Sequence, residues 1–431
     1  MRRLKRYICL VGLLALLAAA LTGCGFSDDS VEELFTLPRM AEEYTGLTQE
    51  LETLITQGYE YASPTGGRNI QSVQMADLDG DGQQEALAFF RMSSDEKPLK
   101  IFVFKIEGDS YARYCTIESS GTAIDSVYYQ DLNGDGRREL IVGWRISAEV
   151  QTVAVYTVAR EPVALMSSGY TRFTIQDLNG DGIPSLLVLR TDADSQPVAE
   201  FYGWQEEQMG VAYRCVLSST MASVNRGSLV SGRLDADTPA LYITGVDEQG
   251  MAATDILVFR QDLGLVNLAL SGSSTGVSNA VFPYRQLLPQ DINGDGIIEL
   301  PSPDTSWTAE QTDGLVSWLC CNGDGQLSTV AKTYHSLSCG WYFTIPESWW
   351  DWSVETATTS ISNENQFSLA INGDPVLSLY TITGENRENR GRMGKRVLLR
   401  RQTATIYAGE LNDAAAYYLS FIHISEPTRP Y

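Results

Sequence analysis

Four short acidic runs recur along this 431-residue chain, 46 to 114 residues apart: Asp77-Leu-Asp-Gly-Asp-Gly-Gln-Gln-Glu85, Asp131-Leu-Asn-Gly-Asp-Gly-Arg-Arg-Glu139, Asp177-Leu-Asn-Gly-Asp-Gly-Ile-Pro-Ser185 and Asp291-Ile-Asn-Gly-Asp-Gly-Ile-Ile-Glu299. Carboxylate or amide oxygens at positions 1, 3 and 5 suit a hard cation in an oxygen cage. Glycine at 6 permits a sharp reversal, position 7 can offer a backbone carbonyl, and a Glu at 9 closes the site. The candidate ligands are therefore Asp77, Asp79, Asp81, Gln83 and Glu85; Asp131, Asn133, Asp135, Arg137 and Glu139; Asp177, Asn179 and Asp181; and Asp291, Asn293, Asp295, Ile297 and Glu299. Gln83, Arg137 and Ile297 enter through their backbone carbonyls. The expected cation is Ca2+.

A metal-free turn is the competing reading, because Asx side chains cap their own turns and glycine supplies positive φ. Against it, clustered carboxylates repel unless a cation neutralises them. The third loop is the weakest site, since Ser185 replaces the closing acid and Pro184 stiffens the exit. Asn322-Gly-Asp-Gly325 has Cys320 at position 1 and Ser328 at position 9, so it reads as an ordinary hairpin turn.

The elements that must hold these loops are strands. An EF-hand needs a bidentate Glu at position 12, where this chain has Ala88, Val142, Val188 and Ser302. The runs that follow (Glu85-Ala-Leu-Ala-Phe-Phe, Glu139-Leu-Ile-Val-Gly-Trp) read as buried strands, and so do those that precede, so each loop joins two antiparallel strands. With these loops, residues 68–336 resemble the FG-GAP/VCBS class of repeats found in the integrin α-subunit propeller and many bacterial surface proteins. The resemblance implies a β-propeller, structural calcium, and a face of connecting loops that contacts a protein or glycan.

Five units of about 50 residues with four strands each can be read, the size of propeller blades. The fourth has a decayed loop, Leu234-Asp-Ala-Asp-Thr-Pro-Ala-Leu241, which keeps Asp235 and Asp237 but lacks glycines. Closure would hide sheet edges, so the expected fold is mainly β: a five-bladed propeller of four-stranded blades with a short N-terminal helix and a truncated C-terminal α/β or β domain.

At the N-terminus, Met-Arg-Arg-Leu-Lys-Arg6, an apolar stretch from Tyr7 to Ala20, and Leu21-Thr-Gly-Cys24 have the layout of a signal peptide and resemble a bacterial lipobox. The resemblance implies cleavage after residue 23 and lipidation of Cys24, hence an extracytoplasmic protein held to the bacterial cell membrane by N-terminal lipid. Residues 24–37 form a tether. Residues 38–58 form a helix packing on the propeller, with Met40, Tyr44, Leu47, Leu51 and Leu54 on one stripe. Residues 337–418 lack acidic loops and form an incomplete small domain. Its Ile345-Pro-Glu-Ser-Trp349 resembles the strand entry of small domains on bacterial lipoproteins. Trp349, Trp350 and Trp352 read as core rather than as a sugar platform. Residues 419–431 resemble translated sequencing adapter, and the natural chain is expected to continue past 418.

The formal charge is −23, and loss of the four bases of the signal peptide takes it to about −27. This disfavours nucleic acid as a partner and makes the lipid, not anionic headgroups, responsible for anchoring. Cys115, Cys215, Cys320, Cys321 and Cys339 remain after Cys9 and Cys24, with no zinc spacing and no disulfide framework expected. His335 is the sole histidine before residue 419 and no nucleophile motif accompanies it. The expected function is therefore non-enzymatic binding of an extracellular protein or glycan. The alternative is a calcium-dependent polysaccharide lyase or glycoside hydrolase, since related repeats occur in such enzymes.

Overall fold

A computed structural model describes residues 44–108, 110–248, 252–270, 287–303 and 313–419. The signal peptide, Cys24, the tether, Met40 and the tail beyond 419 lie outside the described residues.

The chain is mainly β and builds a series of antiparallel sheets. The first contains β1 (Glu60–Tyr61), β2 (Val73–Ala76), β3 (Glu85–Arg91), β4 (Leu99–Glu107) and β5 (Ser110–Ser119). The second is β6 (Ala123–Gln130), β7 (Glu139–Arg145), β8 (Gln151–Tyr156) and β9 (Ala164–Gly169). The third is β10 (Arg172–Gln176), β11 (Ser185–Thr191), β12 (Pro197–Gln205) and β13 (Gln208–Val216). The fourth is β14 (Leu229–Arg233), β15 (Pro239–Val246), β16 (Ala252–Arg260) and β17 (Gly264–Asn267). The second, third and fourth sheets pair in chain order. The fifth is β18 (Leu300–Pro303), β19 (Asp313–Cys321), β20 (Leu327–Ser336) and β21 (Trp341–Ile345), preceded by a single Gln290–Glu299 bridge. Its last strand thus comes from the segment beyond residue 336.

The strand after each of the first three acidic loops is a near-continuous apolar run because both of its faces are buried. In β3, Leu87 and Phe89 point into a core shared with Val142 and Trp144 of the second sheet. Ala86, Ala88 and Phe90 point the other way, onto helix α1 (Thr45–Thr56) through Leu47, Leu51 and Leu54. The same partition continues down the chain. Ile141 packs with Val188 between sheets two and three, Leu187 with Leu241 between three and four, and Tyr242 with Leu300 between four and five. Each sheet is therefore a layer against its sequence neighbours, with α1 covering the outer face of the first. The helix ends where the Gly58 amide reaches Ile55 O (3.0 Å) and the Tyr59 amide reaches Leu54 O (3.1 Å), with Gly58 at φ +95°.

The C-terminal region is an antiparallel sheet of β22 (Val354–Ile361), β23 (Glu364–Ile371), β24 (Asp374–Thr383), β25 (Val397–Arg401) and β26 (Thr405–Leu411), in the order β22-β23-β24-β26-β25. Two short helices accompany it, α2 (Arg387–Arg390) and α3 (Ala415–Leu419). Trp349 is buried and Trp350 and Trp352 pack on the same core with Phe367, Leu369 and Tyr334 of the fifth sheet. Trp349 is core and Trp350 and Trp352 pack on it half-buried, in line with the usual burial of aromatics.

Candidate metal centres

Each of the first three acidic loops joins consecutive antiparallel strands: β2 to β3, β6 to β7 and β10 to β11. The fourth runs from the Gln290–Glu299 bridge into β18. Glycines at positions 4 and 6 take φ of +75 to +87° in all four, a region that L side chains rarely adopt. That reversal turns their amides inward onto the position-1 aspartate. Asp131 Oδ1 accepts from Gly134 (2.6 Å) and Oδ2 from Gly136 (2.8 Å). Asp77, Asp177 and Asp291 do the same with Gly80 and Gly82, Gly180 and Gly182, and Gly294 and Gly296. The position-5 aspartates Asp81, Asp135, Asp181 and Asp295 each accept from the amide of position 7, at 2.7–2.8 Å. This fixes the peptides of Gln83, Arg137, Ile183 and Ile297.

The closing glutamates are nearly inaccessible: Glu85 is 3% exposed, Glu139 5% and Glu299 1%. Each uses Oε2 to accept from the amide of position 2, Leu78 (2.7 Å), Leu132 (2.9 Å) or Ile292 (3.0 Å). Burial, then the neighbouring aspartates, push the Glu139 carboxyl up, while the Leu132 amide opposes them. The same forces take Glu299 to about 7. In the third loop, where Ser185 stands instead, Asn179 Oδ1 is a buried acceptor without a partner.

Asp77, Asp79 and Glu85 offer oxygens within 4.8 Å of one another, the one such acid cluster among the described residues. The donors are all oxygen, which suits a hard cation such as Ca2+ or Mg2+ and not a thiolate- or imidazole-preferring metal. In the second, third and fourth loops Asn133, Asn179 and Asn293 replace Asp79, and their amide groups donate to the position-5 carboxylate (3.2, 2.7 and 2.8 Å).

Two features were not read from the motif. Lys105, on the strand beside β3, ion-pairs with Asp79 and lies 3.6 Å from Glu85. Burial acts to lower the Lys105 pKa, but these acids more than offset it. Its hydrogen bond holds the Asp79 carboxyl below its ordinary value. The β3–β4 register (Ala86 opposite Phe104) places Lys105 opposite Glu85, a placement that a strand-pairing argument could have found. Second, the loops are bonded to adjacent sheets. The Arg138 amide donates to Leu78 O (2.7 Å), Trp204 Nε1 to Leu132 O (2.8 Å) and the Ile298 amide to Arg233 O (3.0 Å). A Cβ at Gly80 would meet Gly136 O at 2.5 Å. The loops thus lie along one edge of the layered sheets and help to join them.

Two further titratable side chains are buried in the sheets. His335 is buried against Trp318 and Tyr342, and burial lowers its pKa to about 4. Asp255 is fully buried and accepts from Ser218, Ser219 and Asn267. The five described cysteines are free thiols, and the Asn322–Gly325 segment is the hairpin turn between β19 and β20.

No protein-family model matches the chain, and no curated protein matches it. Among solved structures, the β-propeller domain of the trilobed protease from Pyrococcus furiosus is similar at 10% identity and TM-score 0.27, over 79% of this chain and 90% of that one. The Photorhabdus luminescens Tc holotoxin pore is similar at 12% identity and TM-score 0.22, over 76% of this chain and 15% of that one. At such scores neither superposition carries an argument.

Proposed function

We propose that the chain is a calcium-stabilised propeller of five four-stranded blades, lipid-anchored outside the bacterial cell membrane, that binds a protein or glycan without chemical turnover. The carrying observation is the repeated cage: four loops with one hydrogen-bond skeleton, three of them closed by a glutamate buried to 5% exposure or less. A buried carboxylate demands a counter-charge, and millimolar extracellular calcium would supply it. In this reading α1 packs on the outer face of the first blade. Burial of His335, the sole histidine among the described residues, favours binding over catalysis.

The test is exposure to arrays of polysaccharides and extracellular proteins in calcium and in EGTA. Calcium-dependent retention with no new reducing or unsaturated ends is the expected result. Released ends would overturn the non-enzymatic reading, and retention indifferent to EGTA would overturn the role of calcium.

A further inference from the structure

The net charge of −23 conceals one segment of opposite sign. Residues 385–401 carry seven bases (Arg387, Arg390, Arg392, Lys395, Arg396, Arg400, Arg401) against two acids (Glu385, Glu388), a local net of +5. The segment runs through α2 into β25, which is an edge strand paired only with β26.

Three of the seven bases have structural duties. Arg387 donates to the carbonyls of Gly384 (3.2 Å) and Thr403 (3.0 Å). Arg390 and Arg396 converge on Glu364, and the Arg396 guanidinium stacks 3.6 Å from the Tyr380 ring. The other four are exposed. Arg392 and Arg400 have no side-chain partner among the described residues. Lys395 and Arg401 pair with the exposed acids Asp413 (2.8 Å) and Glu388 (3.1 Å), contacts weak enough for a competing phosphate to displace.

Exposed aliphatic side chains are interleaved with these cations. Met393 is 60% exposed, Val397 64% and Leu399 59%. The β25–β26 register slips between Leu398 and Arg400, leaving Leu399 as the extra residue of a bulge. Val397 pairs with Gly409, and a Cβ on Gly409 would approach Leu399 Cδ1 at 3.1 Å. Both side chains therefore stand over a glycine, which offers them little apolar cover.

We propose that this edge, Arg392 to Arg401, docks on the surface of an anionic lipid bilayer. Arg392, Lys395, Arg400 and Arg401 meet headgroup phosphates, while Met393, Val397 and Leu399 enter the headgroup–acyl boundary. Charge complementarity selects the occupant: the chain outside this segment is strongly acidic and is repelled by the same surface. The aliphatics decide between lipid and a soluble polyanion, because a nucleic acid or anionic polymer gains nothing from exposed Met, Val and Leu. The inference does not depend on calcium or on the glycan or protein ligand.

The test is flotation of the full chain with vesicles of phosphatidylcholine, with and without phosphatidylglycerol. The N-terminal segment is common to every variant, so differences between variants report on the edge. Arg392→Glu with Arg400→Glu should lower partition onto the anionic vesicles more than about tenfold and leave the neutral ones unchanged. Val397→Ser with Leu399→Ser should lower it by roughly threefold or more. Amides 392–401 should gain hydrogen-exchange protection only on anionic vesicles. If both pairs float like the parent protein, the proposal fails. It fails equally if DNA protects the same amides and the serine pair changes nothing, since the edge is then a polyanion site. Should the charge-reversed pair not fold, exchange on the parent protein decides: amides unprotected on anionic vesicles would overturn the docking.

Discussion

The acidic loop between β2 and β3 and the one entering β18 share a skeleton but differ in what neutralises them. In the first, the Lys105 ammonium reaches Asp79 and Glu85 from the adjacent strand. In the last, Glu299 is buried with no lysine or arginine paired to it among the described residues. The neighbouring Cys320 thiol is itself pushed up, by burial and then by Glu299. Nearly the same nine residues can therefore make a loop with a cation of its own beside it or one with none among the described residues. Which occurs is decided by one side chain on the next strand, outside the motif.

The largest effect expected from this difference is on calcium dependence. A site filled at 100-fold saturation stabilises by about 2.7 kcal/mol, so EGTA should lower the urea midpoint markedly. Asp291→Ala removes the acceptor for the Gly294 and Gly296 amides as well as a ligand, and should cost about 3 kcal/mol in calcium and abolish much of the EGTA effect. Asp77→Ala should reduce the EGTA effect less, because its loop is partly neutralised beforehand. Equal losses in paired urea titrations would erase the distinction between the loops.

Next in size is a change of sign. Without divalent ions at pH 8, Glu299 is a buried charge with no cation paired to it among the described residues, so Glu299→Gln should stabilise by roughly 1–2 kcal/mol, then destabilise once calcium is restored. Glu85→Gln should destabilise in both conditions, since Lys105 loses one of its acids. If Glu299→Gln destabilises in EGTA as well, the glutamate has another counter-charge and the comparison breaks.

Lys105→Met sharpens the same point from the cation's side. It should cost about 1 kcal/mol in EGTA, where Asp79 and Glu85 lose their ion pair. In calcium it should raise affinity at the first loop by roughly tenfold, since the competing ammonium is gone. Urea unfolding in EGTA reads the first effect and isothermal titration with calcium the second, and unchanged calcium binding would show that Lys105 does not compete.

The skeleton of these sites was legible because it is local. Asp at 1 and glycines at 4 and 6 fix a turn whose hydrogen bonds close within nine residues, and the apolar runs after Glu85 and Glu139 announce strands buried on both faces. The stripe of Leu47, Leu51 and Leu54 likewise announced a helix seated on the first sheet, as found. Lys105 was not legible, because its role depends on cross-strand register. Nor was the place of Trp341–Ile345: its aromatic composition set it apart, yet it completes the fifth sheet by pairing with β20. The basic edge at 392–401 was hidden by averaging, since net charge carries no information about where the charges lie.

The decayed loop of the fourth sheet supplies the smallest effect and a lower bound for the comparison. Asp235 Oδ1 accepts from the amides of Asp237 (3.0 Å) and Thr238 (2.8 Å), and the Leu234 amide reaches Thr238 O (2.9 Å). That is an Asx turn closed by its own backbone, with no glycine to turn further amides inward and no closing glutamate to bury. Asp235→Ala should therefore cost only about 1 kcal/mol, by the same amount in calcium and in EGTA, whereas the loss at Asp131→Ala should be several times larger and depend on calcium. A calcium-dependent loss at Asp235 in urea unfolding would mean that two carboxylates and a bare turn already recruit a cation. The division between self-neutralised and cation-dependent loops would then have to be drawn by geometry other than the buried glutamate.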